Sequence, residues 1–205
     1  MIWLLIAFLG YLIGSIPWGY LLARSKRVDI RQHGSGNIGA ANVARVMGKK
    51  WGYLVFLCDF LKGFLSVKLG SLLTAHFQGN IVVGSVIAAI ACVLGHDYPV
   101  WLRFRGGKGI ATLAGAVLAL FSPLVFISFG VVWIAAFLIG RYTSLASIIA
   151  AVALPIAVLL IVAKSEPELP WLVGFSVLMA ALALWRHRSN IVRLLNGTEN
   201  RFEKK

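Results

Sequence analysis

Apolar residues fall in long, almost unbroken blocks separated by short polar stretches. That is neither the alternation of a half-buried strand nor the single stripe of a surface helix. Seven blocks recur, over 2–22, 51–75, 81–94, 110–121, 124–139, 145–163 and 171–185. About 20 helical residues cross the ~30 Å hydrocarbon layer of a bilayer, fewer where neighbouring protein covers a helix end. The pattern predicts an all-α, polytopic integral membrane protein with seven transmembrane helices, some short or hairpin-like, in a single domain over 1–205.

Two blocks need a decision. The first has the length of a signal peptide, but no basic leader precedes it, Gly10, Gly14 and Pro17 interrupt it, and no small-residue cleavage site follows. It reads as a retained helix whose Gly10 and Gly14, four apart, offer a close-packing face. The run 110–139 is interrupted by Ser122-Pro123. Two short helices turning at the proline are preferred to one long helix, which would leave six spans, or to a re-entrant hairpin, which would leave five.

Composition agrees with the pattern. The chain is 60% apolar and 13% charged, with a mean hydropathy of +0.86. Soluble domains average about half apolar and a quarter charged residues, so a soluble enzyme, a disordered tail and a disulfide scaffold are excluded. Cys58 and Cys92 sit inside apolar runs, match no metal or redox spacing and read as packing thiols.

Charge then sets orientation. Twenty Lys and Arg face seven Asp and Glu, and seventeen of the twenty lie in segments 23–50, 95–109, 140–144 and 186–205. Seven spans put those four segments on one side, while connections 76–80, 122–123 and 164–170 are nearly uncharged or acidic. The positive-inside rule places the N-terminus outside and the C-terminus in the cytoplasm. Basicity beside this apolar excess favours anionic lipid or anionic substrate, and nucleic acid is not expected as a partner.

Three cytoplasmic segments carry chemistry. The first reads Gly34-Ser35-Gly36-Asn37-Ile38-Gly39-Ala40-Ala41-Asn42-Val43-Ala44-Arg45. Its formal G-x-G-x-x-G lacks the preceding strand of a dinucleotide fingerprint. Glycines still let backbone N–H groups approach an anion, Ser35, Asn37 and Asn42 add side-chain donors, and Arg45 adds a planar fork suited to phosphate. The second segment holds Gly95-His96-Asp97-Tyr98-Pro99 and Phe104-Arg105-Gly106-Gly107-Lys108-Gly109-Ile110-Ala111-Thr112. A Walker A loop would need Gly at Leu102 and Ser or Thr at Gly109, so that motif is absent. Gly106, Gly107, Lys108 and Gly109 nevertheless open a helix, where free N–H groups, the helix dipole and one ammonium make a phosphate seat.

In the third segment, His187, Asn190 and Arg193 share one polar stripe at helical spacing, and Asn196-Gly197 ends the helix. An amphipathic segment lying on anionic headgroups is the other reading of this tail. Within the bilayer, Asp59 and Lys62 stand three apart on one helix face. Their pairing would make a structural clamp, and a functional role is the alternative. Lys68 points from the opposite face. The four histidines are scattered without a carboxylate cluster, so no metal and no cofactor are expected. Ile38, Ile81, Trp101 and Val192 stand five residues after the four histidines, which excludes the H-x-x-x-x-D signature of thioester-dependent glycerolipid acyltransferases.

Segment 34–45, segment 95–112, Ser144-Leu145-Ala146-Ser147 and the run 186–201 resemble the motifs of the bacterial acyl-phosphate–glycerol-3-phosphate acyltransferase (PlsY) family in order, spacing and hydropathy. Two departures are visible: Ala41 stands where the family often has Thr, and Asp97-Tyr98 replaces an apolar-Phe pair. The resemblance implies transfer of a fatty acyl group from acyl phosphate to the 1-hydroxyl of glycerol 3-phosphate. The products would be lysophosphatidic acid and phosphate, made at the bacterial cytoplasmic membrane among its phospholipids. An acyl-phosphate-producing enzyme is the implied protein partner.

On this reading Ser35, Asn37, Gly106, Gly107, Lys108 and Gly109 hold the acyl phosphate and the charge growing on its carbonyl oxygen. Arg45, His187, Asn190 and Arg193 hold glycerol 3-phosphate. Gly34, Gly36, Asn42, Thr112 and Ser144 complete the binding set. His96, His187 or the substrate's own phosphate takes the hydroxyl proton; Ser35 as an acylated nucleophile is less favoured, since no base adjoins it. The competing classes are an anion transporter or channel and a membrane scaffold with a lipid-binding basic rim.

Overall fold

The computed structural model describes residues 1–202. Lys204 and Lys205, counted above among the tail's cations, lie outside the described residues. Among the described residues the secondary structure is helical throughout, with two short 3-10 turns and no strand. The helices are α1 (Ile2–Ser15), α2 (Trp18–Ser25), α3 (Ala40–Met47), α4 (Lys49–His76), α5 (Ile81–Asp97), α6 (Ile110–Leu120), α7 (Pro123–Gly140), α8 (Thr143–Ile161), α9 (Leu169–Arg186) and α10 (Arg188–Leu195).

Each of the seven apolar blocks is helical. Five helical stretches are long and apolar enough to cross a membrane: Ile2–Ser25, Ile81–Leu102, Pro123–Gly140, Thr143–Ile161 and Leu169–Arg186. The other two blocks differ for physical reasons. α6 has only 11 residues, and α4, at 28 residues, carries Asp59, Lys62 and Lys68. The first block is not one helix. Pro17 lacks an N–H and pushes the residue before it out of the helical region, so Ile16 is extended (φ −64, ψ 112) and the chain restarts at Trp18. The run 110–139 is likewise two helices, because Ser122 is extended (φ −62, ψ 154) ahead of Pro123 at the first position of α7. A single long helix there is excluded. Segment 95–109 is less loop-like than its composition suggests, since α5 continues through His96 and Asp97.

The chain divides into two compact units, residues 1–120 and the remainder from Phe121. In the first, α1 lies on α5 and α4 on α5 and α6. Small residues set these distances. A Cβ on Gly14 would overlap the Cys92 backbone, one on Gly63 the Thr112 carbonyl, and one on Gly115 the Phe60 carbonyl. Backbones that approach so closely gain dispersion contacts that replace the hydrophobic drive missing in lipid. A smaller cluster of Ala23, Ile30, Ile38, Val43, Val55 and Leu102 sits under the polar loops. In the second unit α8 packs against α7 and α9 around Val125, Phe129, Ala150, Leu154, Val158 and Phe175, each at most 5% exposed.

Outside these cores the apolar surface is open: Leu4, Phe8, Leu65, Leu72, Leu138, Ile139 and Leu160 are all more than half exposed. Water would not tolerate such a belt, but hydrocarbon does, because every helix satisfies its own backbone.

Candidate active site

The first polar loop is shaped around Asn42, which is 2% exposed at the start of α3. Its Oδ1 accepts from Ser35 N at 2.8 Å, and its Nδ2 donates to the carbonyls of Asn37 (2.8 Å), His33 (3.0 Å) and Ile30 (3.3 Å). Gly34 supplies the left-handed turn (φ +60) beside it, and a Cβ there would overlap Asn42 Oδ1. Asn37 Oδ1 accepts from Gly39 N at 2.8 Å. The loop thus leaves Ser35, Gly36 and Arg45 exposed while Asn42 faces inward. Just upstream, the Arg31 guanidinium donates to both Asp29 oxygens (2.9 and 2.8 Å) and holds that carboxyl down at about 2.

The second loop doubles back on the end of α5. Gly107 N donates to the His96 carbonyl at 3.0 Å and Gly106 N to the Asp97 carbonyl at 3.2 Å. A Cβ on Gly107 would overlap His96 Nε2, so only glycine lets the loop close on the imidazole. Two non-glycine residues, Arg103 (φ 52) and Phe104 (φ 60), precede the loop in the left-handed region, an uncommon and strained backbone for branched or bulky side chains. Leu102, at the root of this loop, shares a core with Ile38 of the first; that common core joins the two glycine-rich segments. Lys108 is half-buried, and Gly109 directly precedes α6. Thr112 is fully buried within α6.

Beneath the second loop the Asp59–Lys62 clamp is formed, with Lys62 Nζ 2.8 Å from Asp59 Oδ1 and both side chains 3% exposed. The clamp extends further than spacing on α4 reveals. Lys62 Nζ also lies 2.9 Å from His96 Nδ1 and donates to the Ile16 carbonyl at 3.0 Å, at the break between α1 and α2. Lys68, by contrast, is exposed and rests over the Phe64 ring. Cys92 is a free, buried thiol beside the Lys62 carbonyl.

In the second unit, Ser144, Asn190 and Arg193 are brought together by a residue that sequence reasoning missed. Glu199 Oε1 accepts from Ser144 Oγ (2.8 Å) and Asn190 Nδ2 (2.7 Å), and Oε2 accepts from Arg193 Nε (2.7 Å). Burial alone would raise this carboxyl. The bonds from Asn190, Ser144 and Arg193 outweigh it and hold the group below its ordinary value. The available signal was Gly197, whose φ of +69 reverses the chain after α10 and returns the next acid to the helix's polar stripe. His187, 3% exposed between α9 and α10, places Nδ1 2.8 Å from the Ala183 carbonyl. A carbonyl only accepts, so Nδ1 carries the hydrogen and Nε2 is the basic nitrogen. Among the described residues no group of three His, Cys, Asp or Glu is arranged to hold a metal.

Comparison with known proteins adds an independent line. Residues 4–197 match the family described as glycerol-3-phosphate acyltransferase. A protein of that name from Desulforamulus reducens is 47% identical over 191 residues, which cover 93% of this chain and 90% of that one. The chain is also similar to crystal structures of PlsY (YgiH), an integral membrane glycerol 3-phosphate acyltransferase. Its glycerol 3-phosphate form superposes with a TM-score of 0.85 at 42% identity, covering 98% of this chain and 96% of that one. Its lysophosphatidic acid form gives 0.83 at 41%, covering 98% and 95%.

Proposed function

The chain belongs to the glycerol-3-phosphate acyltransferase family, and from that premise we propose that it uses acyl phosphate as donor and acylates the 1-hydroxyl of glycerol 3-phosphate. It is a multi-pass membrane acyltransferase; relatives named for this activity give the transport reading no support. The finer topology is part of the proposal: seven crossings, N-terminus outside and C-terminus cytoplasmic, in the bacterial inner membrane. The seven helical blocks and the one-sided distribution of cations support it.

One observation carries the donor assignment, namely the loop of Gly106 and Gly107 folded onto His96 where no Cβ fits. The N–H groups of Gly106 and Gly107 donate to the α5 carbonyls, so what the loop brings to a phosphoryl group is the Lys108 ammonium and the helix start at Gly109. Ser35 and Asn37 stand on the loop tied to it through the Leu102–Ile38 core. In the second unit Arg193 uses only Nε on Glu199, which leaves its Nη groups for an anion. That supports Arg193, with Asn190 and His187, as part of the glycerol 3-phosphate site.

In the transfer, the acceptor's hydroxyl oxygen attacks the acyl carbon, the bond from that carbon to the phosphate oxygen breaks, and phosphate leaves. Donors aimed at the carbonyl oxygen lower this barrier by stabilising its transient charge. Phosphate is already a good leaving group, so the absence of an H-x-x-x-x-D pair is no obstacle. The hydroxyl proton goes to His187 Nε2 or to a substrate phosphate oxygen. Asn42 braces the loop and Thr112 is fully buried, and neither is assigned a substrate contact.

The test is phosphate release by the purified protein in lipid. Phosphate release that needs both palmitoyl phosphate and glycerol 3-phosphate is the expected result, with no CoA thiol released when palmitoyl-CoA replaces the acyl phosphate. Turnover with the thioester in place of the acyl phosphate would refute the donor assignment.

A further inference from the structure

We propose that Lys62 and Asp59 are positioning residues that fix the tautomer of His96, so that His96 meets the bound phosphoryl group as a hydrogen-bond donor through Nε2 and never as a base. The proposal rests on the reading that residues 106–109 seat a phosphoryl group.

Lys62 Nζ has three acceptors around it: Asp59 Oδ1 at 2.8 Å, His96 Nδ1 at 2.9 Å and the Ile16 carbonyl oxygen at 3.0 Å. An ammonium has three hydrogens and no lone pair; Lys62 donates to the Ile16 carbonyl and can only donate to His96 Nδ1, while its contact with Asp59 is an ion pair without hydrogen-bond geometry. The contact to His96 then requires a lone pair on Nδ1. Neutral imidazole carries its one hydrogen on the other nitrogen, Nε2, the atom that lies against Gly107. A hydrogen on Nδ1 would instead meet an ammonium hydrogen at 2.9 Å. It would be tolerated only if Lys62 were neutral, which would leave the Asp59 carboxylate buried without its counter-ion.

The rest of the pocket agrees. Asp59 Oδ1 is 3.4 Å from His96 Nδ1, longer than its contact to Lys62, so the carboxylate engages the ammonium first. The Ile16 carbonyl is available because Pro17 ends α1 there. The helix break, the two α4 charges and the last turn of α5 therefore form one chain of contacts that ends at the glycine loop. Asp97, next to His96 on α5, is fully buried, and Lys108 directly follows Gly107 on the loop.

The tautomer is read directly by nitrogen NMR of the full protein in lipid, labelled with 15N-histidine, with His96 assigned from the spectrum of His96→Gln. The expected result is a bare Nδ1 and a protonated Nε2 at neutral pH. An Nδ1–H tautomer or an imidazolium at neutral pH overturns the proposal. Kinetics give a second reading. Glutamine can donate from near the Nε2 position but cannot act as a base, so His96→Gln should keep kcat/KM within about tenfold of wild type while His96→Ala loses about a hundredfold. Equal loss in both variants overturns the donor role.

In the paired substitution Asp59→Asn with Lys62→Met, which leaves no lone buried charge, an Nδ1–H signal should appear at His96 with His187 unchanged. Should that variant not fold, the wild-type spectrum still decides. An Nε2–H spectrum in a protein that does not turn over acyl phosphate would refute the proposed donor and leave the tautomer standing, so the two readings fail separately.

Discussion

The carboxamide of Asn42 accepts from the backbone N–H of Ser35 at 2.8 Å, and this one contact decides how the exposed serine is presented. The same amide donates to three carbonyls, so its four bonds hold both limbs of the loop. Asn42→Asp keeps the acceptor for Ser35 and turns a carboxylate oxygen toward three carbonyls. Asn42→Ala leaves those groups without a partner at a cost of about 1–3 kcal/mol for each that stays buried. Both variants should lower the thermal midpoint, and the aspartate should lower it at least as far. A thermal unfolding series in detergent, with kcat and KM for each variant, checks this. An Asn42→Ala protein of wild-type stability would show that the loop is held by something else.

Gly107 is the position where the second loop leaves no room. A Cβ would overlap the His96 ring, so Gly107→Ala must displace either the loop or the imidazole. Displacing the loop weakens the phosphoryl seat, and the expected outcome is a rise in the KM for acyl phosphate of about tenfold or more, the scale of one lost charge-assisted contact. Gly174→Ala serves as the control, since nothing lies within 4 Å of a Cβ there. Equal kinetics in the two variants would remove Gly107 from the site.

The helical blocks were legible in the sequence because lipid-facing and core-facing residues are both apolar, so length and hydropathy alone mark a helix. The split at Ser122-Pro123 was legible for the same reason that Pro17 should have been: a proline directs the residue before it into the extended region. At Pro17 the apolar pattern runs on across the break, so hydropathy alone does not separate α1 from α2. Within the site, spacing on one helix predicted the Asp59–Lys62 pair. No local pattern predicts that Lys62 also reaches His96, 34 residues away on α5. Asn42 read as a ligand because an exposed and an inward-facing asparagine look alike in sequence; its direction was set by the left-handed turn at Gly34. Glu199 was missed because its three partners come from α8 and α10, and only the reversal at Gly197 brings it back to them.

His187 presents the opposite face to that proposed for His96. With Nδ1 donating to the Ala183 carbonyl, its basic atom is Nε2. His187→Asn can keep the bond to Ala183 but has no atom at the Nε2 position, whereas His187→Gln reaches that position with an amide that binds and cannot take a proton. If His187 accepts the hydroxyl proton, both variants lose kcat by about 10²–10⁴-fold, the range of general base catalysis. If a substrate phosphate accepts it, the glutamine variant retains most of kcat. Steady-state kinetics with saturating glycerol 3-phosphate separate the two outcomes.

Glu199 couples the tail to pH. Its carboxyl is held below the ordinary value of 4.5 by three donors despite burial. A depressed folded-state value means that its stabilisation is fully present above about 4.5 and is lost as pH falls through the lower, folded-state value. The wild-type thermal midpoint should therefore fall more steeply within that window, between about 4.5 and the lower folded-state value, than that of Glu199→Gln. The glutamine keeps an oxygen for Ser144 and Asn190 but turns an NH₂ toward Arg193 Nε, where the carboxylate had accepted at 2.7 Å. Releasing the guanidinium should raise the KM for glycerol 3-phosphate about tenfold, equivalent to ~1.4 kcal/mol, while kcat changes little. Arg193→Lys, which cannot serve Glu199 and an anion with one planar fork, should show the same split between KM and kcat. A fall in kcat at unchanged KM would instead place Glu199 in the chemical step and remove Arg193 from acceptor binding.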